Sequence, residues 1–149
     1  MRGLARAALL AVSLLVTYVG ARAAEIAGAP RIAVVVGRKS FVTDVTVDDL
    51  RELYLRRRRV WPNGRRAIPV NLPADNAVRA RFSRLVLGRS PQDLVPYWDA
   101  RYFEGITPPT VLPSPAALRA YLDVEPAAIG YLSASDVDDT CRTLLVLGP

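Results

Sequence analysis

A six-residue stretch near the start of the chain limits the folds that this sequence can adopt. In Arg31–Val36, every residue after the arginine is apolar, and the run ends at Gly37. A short, β-branched run that is apolar at every position is typical of a strand whose two faces are both covered. We therefore expect a central strand in a sheet that carries helices on both sides.

Three more segments predict strands in the same sheet: Ile68–Asn71, Ala128–Leu132 and Thr143–Leu147. Within the first of these, Pro69 favours an edge or an irregular position, because proline has no N–H to donate. Strands that alternate with helices predict an α/β fold with a mostly parallel or mixed sheet flanked by helices.

Short polar side chains mark the expected helix starts, because they can accept the first unpaired backbone N–H groups. They are Thr46 with Asp49 as its capping-box partner, Asp75 or Asn76, Ser90 followed by Pro91 and Asp93, and Ser114 followed by Pro115. The helix after Asn76 is expected to bury Val78, Phe82, Leu85 and Val86 and to end near Gly88. Asn63-Gly64 predicts a tight turn.

The first 23 residues have the layout of a secretory signal peptide. A positively charged start precedes the apolar run Ala7–Val19, and Ala21-Arg22-Ala23 fits the small-residue pattern of a cleavage site. An uncleaved anchor is the alternative, although the run is shorter than the roughly 20 residues of a spanning helix. We expect cleavage after Ala23, one mature domain over residues 24–149, and a periplasmic or secreted location.

Missing residue types exclude several chemistries. The chain has no His and a single cysteine, Cys141, so it cannot form a Ser-His-Asp triad, a Cys-His dyad, a His-ligated metal site or an internal disulfide. Cys141 precedes an apolar segment and is expected to be buried. We predict no catalytic residue, no metal and no cofactor.

The net positive charge of the chain becomes smaller when the predicted signal peptide is left out. Without Arg2, Arg6 and Arg22, the 20 basic residues fall to 17 against 14 acidic ones, a net charge of +3. That charge and the expected export both disfavour nucleic acid as a partner.

Four segments resemble, in order, motifs of the substrate-binding proteins of phosphate-type ABC transporters, members of the type II periplasmic-binding-protein-like superfamily. Asp48–Leu55 is similar to the family's helix ending in Ile-Phe-x-Gly-Lys, and Val60–Gly64 to its Trp-x-x-Gly turn. Ile68–Phe82 is similar to its strand, anion-binding loop and helix, and Pro126–Tyr131 to its Pro-Gly-Ala-Ile-Gly-Tyr signature. The resemblance implies an α/β fold, a single lobe of a type II periplasmic binding protein, in a short member of the family that has no second lobe.

The anion loop departs from the family pattern. Where the family has Arg-x-x-Gly-Ser-Gly-Thr-Arg, this chain has Leu72–Arg79, in which only the final arginine, Arg79, is kept. Asn76 and Val78 replace the two hydroxyl donors, and Asp75 adds a negative charge. A charge-assisted hydrogen bond is worth roughly 1.5–3 kcal/mol, so we predict that phosphate binds no more tightly than about millimolar.

The best candidate for a ligand site is the start of the helix after Asn71, because helix N-termini attract anions. The candidate residues there and in the polar turn after the first strand are Ser40, Asn71, Asp75, Asn76, Ala77 and Arg79. The alternatives are that Asp75 or Asn76 only caps the helix, that Arg79 is solvated and that Ser40 lies in an ordinary exposed turn.

Two other clusters are candidates for contact with partners. Arginines 56–59, 65 and 66 surround Trp61, on which a guanidinium can stack, and suit an anionic surface, lipid headgroups or an acidic protein. Their alternative is a solvated loop in an arginine-rich chain. The aromatic segment Tyr97, Trp98, Tyr102 and Phe103 is either core or a partly exposed partner face.

These observations predict an exported, non-catalytic solute-binding-like domain with weak oxyanion binding at a helix N-terminus. The alternative function is a single-lobe interaction module that docks on an envelope partner and binds no solute. The expected partners are a small oxyanion, a membrane or envelope protein, or a second copy of this chain.

Overall fold

The computed structural model describes residues Pro30–Gly148, which form one compact unit. The predicted signal peptide, residues 1–23, lies outside the described residues and stays a prediction. None of the helices in the described part is long and apolar enough to cross a membrane.

Five strands and four α-helices make up the unit. The strands are β1 (Ile32–Gly37), β2 (Ile68–Asn71), β3 (Thr110–Val111), β4 (Ala128–Ser133) and β5 (Cys141–Leu147). The helices are α1 (Val47–Tyr54), α2 (Ala77–Phe82), α3 (Val95–Phe103) and α4 (Pro115–Val124). A π-helical turn, Ser83–Leu87, continues α2, and a short 3₁₀ helix, Ala134–Asp136, follows β4.

The strands form one mixed sheet in the order β3-β2-β4-β1-β5. β2 is parallel to β3 and β4, whereas β1 is antiparallel to β4 and β5. The expected α/β sheet flanked by helices is confirmed, and it is mixed, with as many antiparallel pairs as parallel ones. β1 alone runs opposite to the other strands: β4 and β5, its neighbours on either side, are both antiparallel to it and hence parallel to each other.

The two apolar strands β1 and β4 lie side by side at the centre, and every residue of both is buried. The prediction of a central strand covered on both faces is therefore confirmed. Gly37 ends β1 against the C-terminal end of α4, where a Cβ added to this residue would lie 1.9 Å from the carbonyl oxygen of Leu122. Only glycine permits this close approach.

β2 occupies an interior position of the sheet, so of the two alternatives predicted from Pro69 the edge strand is wrong and the irregular position agrees with the structure. The sheet tolerates the proline because β3 is only two residues long and pairs with Val70 and Asn71. No strand of the described unit therefore pairs with Pro69 on that side, and a ladder hydrogen bond is not lost there.

Capping residues start the helices at the predicted places in three of four cases. The Thr46 hydroxyl accepts from the Asp49 N–H at 3.1 Å, and the Asp49 carboxylate accepts from the Thr46 N–H at 2.9 Å, which completes the capping box of α1. Asn76 caps α2, and Ser114 caps α4 through the Ala117 N–H at 3.1 Å. The Asn63-Gly64 turn also forms, with Gly64 at φ 79°.

The start of α3 differs from the prediction. Ser90 and Asp93 exchange the expected capping bonds, with both backbone N–H groups donating at 3.1 Å. The chain nevertheless passes through turns at residues 91–94, and the α-helix begins at Val95. The capping pair therefore closes a turn that precedes the helix.

The π-helical turn after α2 changes which side chains are buried. Phe82 and Val86 lie in the core, as expected from their spacing, but Leu85 is 41% exposed. A π turn is wider than an α turn, so residues within it, such as Leu85, rotate relative to the face set by α2. Ser83, which the pattern did not single out, is buried instead and donates to the Arg89 carbonyl at 2.6 Å.

Three aromatic rings join α1, α2 and β4 in the core. The Phe82 and Tyr131 rings are stacked at 3.8 Å between centroids with planes 7° apart, and Tyr54 packs against Phe82 at 4.8 Å. The Tyr54 hydroxyl donates to the carbonyls of Val70 and Ile129 at 3.0 and 3.2 Å. Burial raises the pKa of Tyr54 well above its ordinary value, so the hydroxyl stays protonated and links β2 to β4.

Candidate functional site

The segment that resembles the anion loop leaves β2 at Asn71. Only 8% of Asn71 is exposed, and its Oδ1 accepts from the Tyr131 hydroxyl at 2.9 Å. The Leu72 N–H donates to the same hydroxyl at 3.4 Å. The first candidate side chain is thus inside the domain, where it joins the end of β2 to β4.

The start of α2 uses its donors locally. The Asn76 Oδ1 accepts from the N–H groups of Val78 at 2.9 Å and Arg79 at 3.3 Å, so Asn76 rather than Asp75 is the cap. Asp75 and Ala77 are exposed on either side of the cap. Two of the backbone donors that an anion would use are therefore already paired.

The Arg79 side chain turns back onto the loop. Its Nη1 donates to the Leu72 carbonyl at 2.7 Å. With Asn71, Phe82 and Trp98 among its neighbours, Arg79 lines a cavity of only about 10 Å³. A volume of this size holds one water at most, so this cavity has no room for an anion.

Ser40 lies in the loop between β1 and α1 and is not among the residues that line that cavity. Its hydroxyl donates to the Pro126 carbonyl at 2.7 Å and accepts from the Val42 N–H at 3.3 Å. Ser40 therefore fastens its own loop to the segment before β4. The structure brings Asn71, Asn76 and Arg79 together at one end of β2 but does not add Ser40 to them.

A second, larger cavity lies in a part of the domain where the sequence did not predict a site. It measures about 230 Å³ and is lined by residues 41–45 of the β1–α1 loop, by Asp49 and Arg58, and by the turn at residues 61–63. Asp49 and Arg58 form an ion pair at 2.7 Å in its wall. Hydrogen bonds from Thr46, followed by the one from Arg58, lower the pKa of Asp49 to about 2. Only the folded chain brings these three segments together.

The contacts of the arginine-rich segment differ from the predicted stacking on Trp61. Trp61 is buried, and its indole N–H donates to the Ala127 carbonyl at 3.0 Å, so no guanidinium stacks on an exposed indole there. Instead, the Arg65 guanidinium lies 4.0 Å above the ring of Phe41. Arg57 pairs with Glu52 at 3.3 Å. Part of this cluster is thus paired within the domain.

The aromatic segment on α3 is partly exposed, as predicted. Tyr102 is 68% exposed and Phe103 is 90% exposed, while Tyr97 and Trp98 are half-buried against the domain. Val95, on the same helix, is 53% exposed. None of the nine residues of α3 is buried in the described unit.

The buried state of Cys141 agrees with its prediction. Desolvation raises the pKa of its thiol, which keeps the thiolate form scarce at neutral pH.

In residues 30–148 no group of three or more Cys, Asp or Glu side chains lies close enough to hold a metal ion.

No protein-family model matches the chain, and no curated protein matches it. Several solved structures, however, match its fold. An ABC-type phosphate transport receptor from Vibrio cholerae superposes with a TM-score of 0.61 and 19% identity over 77% of this chain and 46% of that one. PstS from Borrelia burgdorferi gives 0.55 and 13% over 77% and 47%.

A third structure, from Clostridium perfringens, is of a protein assigned as a phosphate ABC transporter substrate-binding protein and contains bound phosphate. Its TM-score is 0.62, with 18% identity over 77% of this chain and 45% of that one. The matched part thus spans less than half the length of each of these three structures. The likeness confirms the predicted resemblance at the level of the fold: this chain has the architecture of a single lobe of the phosphate-type substrate-binding proteins.

Proposed function

We propose that this chain is an exported, non-catalytic binding lobe that docks on an envelope partner rather than enclosing a solute. The observation that carries the proposal is the internal use of the anion-loop side chains. Asn71 bonds to Tyr131, Asn76 caps α2 and Arg79 bonds to the Leu72 carbonyl. The cavity that Asn71 and Arg79 line measures only about 10 Å³, so a phosphate bound there would have to displace hydrogen bonds that already stabilise the fold.

The docking face of this proposal is the exposed side of α3. Tyr102, Phe103 and Val95 place large apolar side chains in water on one short helix. Exposed aromatic residues grouped in this way are characteristic of surfaces that bind other proteins. The partner that covers them gains the free energy of removing that apolar area from water.

Photo-crosslinking in the producing cell tests the docking face. A benzophenone amino acid at Phe103 should give a discrete adduct, whereas the same probe at Val124, which is 74% exposed on α4, should not. Light scattering on the purified protein then shows whether the adduct is a second copy of this chain. Equal labelling from both positions, or none from Phe103, contradicts the proposal.

Weak oxyanion binding is a second candidate function, favoured by the bound phosphate in the Clostridium perfringens structure. In this chain the ligand would compete for the Arg79 guanidinium. A thermal-shift series with phosphate and sulfate tests it, because a ligand that binds only the folded state raises its stability. A shift that arises at the α2 start should disappear in Arg79→Ala and increase in Asp75→Asn.

A further inference from the structure

A separate cavity of about 200 Å³ lies between α1, the segment that follows it, the loop after the π-helical turn and α3. Three arginines from different parts of the chain line it: Arg51 of α1, Arg57 just beyond α1, and Arg89 after the π turn. The other lining residues are leucines and Tyr97, and no carboxylate is among them.

The arginines that line the cavity keep donors beyond those that the domain uses. Arg51 donates from Nε to the Val86 carbonyl at 3.0 Å and pairs with Asp48 at 2.5 Å, and Arg57 uses one nitrogen for its pair with Glu52. A guanidinium carries five N–H donors, so both retain free ones. Arg89 is exposed and forms no hydrogen bond or ion pair through its side chain with another described residue.

Three positive charges therefore border the cavity, and two of them are partly offset by the carboxylates of Asp48 and Glu52 outside it. Besides Asp48 and Glu52, Asp93 is another acidic residue near these arginines. Hydrogen bonds from Ser90, followed by the nearby arginine charges that include Arg89, lower the pKa of Asp93. The lining itself remains cationic.

The rest of the lining is apolar and held in place. The Tyr97 hydroxyl donates to the Leu55 carbonyl at 2.7 Å, which fixes the ring at the cavity wall. Leu55 and Leu94 are buried, at 6% and 5% exposure. The cavity thus has a preformed apolar side and a cationic side, which is the arrangement that recognises an amphiphilic anion.

We propose that this cavity binds a small organic oxyanion, in which a phosphate or carboxylate group meets the arginines and an apolar body meets Tyr97 and the leucines. Guanidinium groups suit these planar or tetrahedral oxyanions because they form paired, charge-assisted hydrogen bonds. The site is distinct from the anion-loop segment, since Arg79 lines the smaller cavity and not this one. It does not rest on the docking function proposed above.

Phenyl phosphate is the probe, and NMR titration of the purified protein is the measurement. We expect saturable shifts that include the Tyr97 and Arg89 amides, and weaker binding of both inorganic phosphate and phenol than of phenyl phosphate. Arg89→Gln should weaken phenyl phosphate about tenfold, the order expected for a lost charge-assisted hydrogen bond. Arg66→Gln, an equal charge change at an exposed position outside the cavity, should leave it unchanged.

Two further variants separate this site from its alternatives. Arg79→Ala should leave phenyl phosphate binding unchanged, whereas a loss there would place the anion at the α2 start and overturn the proposal. Tyr97→Leu should weaken phenyl phosphate more than inorganic phosphate. Equal weakening by Arg89→Gln and Arg66→Gln would indicate general charge attraction and overturn the proposal. The absence of saturable binding, or binding of phenol as tight as that of phenyl phosphate, would also overturn the proposal.

Discussion

Replacing Phe82 by alanine probes the contact that holds α2 on the sheet. Phe82 is 1% exposed, stacked on Tyr131 and packed against Tyr54. Phe→Ala changes in cores cost about 3–5 kcal/mol, because the transfer free energy is lost and a cavity remains. Each aromatic pair contributes about 0.5–1.5 kcal/mol beyond its buried area, so we expect a loss of about 4–5 kcal/mol, near the upper end of that range.

Urea denaturation followed by tryptophan fluorescence measures this loss. With an m-value of about 2 kcal/mol/M, a loss of that size lowers the midpoint by about 2 M with little change in slope. Leu85→Ala is the matched control, because Leu85 lies three residues further on and is 41% exposed. It should cost no more than about 1 kcal/mol.

The comparison of these two variants tests the position of the π-helical turn as well as the core. A loss below about 1 kcal/mol for Phe82→Ala would contradict the packing of α2 described above. An equally large loss for Leu85→Ala would show that an undistorted α-helix buries both side chains, as the spacing of the apolar residues alone had indicated.

Two more substitutions have defined outcomes. Gly37→Ala should cost about 3 kcal/mol or more in thermal melts, because its Cβ would overlap the Leu122 carbonyl and force α4 from the sheet; a loss within about 0.5 kcal/mol would contradict that close approach. The folded-state pKa of Asp49 is lowered to about 2, chiefly by Thr46, from an unfolded value of about 3.9. Its stabilisation is therefore complete above about pH 5 and is lost as pH falls towards 2. Since a third of its side chain is exposed, we expect Asp49→Asn to cost only about 1 kcal/mol at pH 7 and less at pH 2; a cost that does not change with pH would refute this assignment.

Local signals in the sequence were sufficient for the strands other than β3 and for three of the four helix starts. Thr46, Asn76 and Ser114 cap helices because a short polar acceptor next to free N–H groups needs nothing from the rest of the chain. The apolar run of β1 likewise determines its own burial on both faces.

Features that depend on neighbouring segments could not be predicted in this way. Pro69 is tolerated inside the sheet only because β3 is short, and β3 itself carries no apolar alternation that would reveal it. The exposure of Leu85 follows from a π turn that the helical spacing does not encode. The antiparallel direction of β1 depends on its pairing with β4 and β5 from the far end of the chain, which is a property of the whole unit.

The candidate site was predicted in part. The sequence identified the segment, and the structure places Asn71, Asn76 and Arg79 at one end of β2. It did not indicate that the Tyr131 hydroxyl would take the Asn71 oxygen, because these residues are 60 positions apart. The cavity bordered by Arg51, Arg57 and Arg89 was missed for the same reason, since three distant segments form it.

Calorimetric titration of the purified protein with inorganic phosphate tests most directly the claim that this lobe does not act by enclosing phosphate. The altered loop and its internal hydrogen bonds predict a dissociation constant no tighter than about 1 mM, equivalent to roughly −4 kcal/mol. Saturable micromolar binding that is lost in Arg79→Ala would contradict this account, because it would require the side chains around Asn71 and Arg79 to open into an anion site.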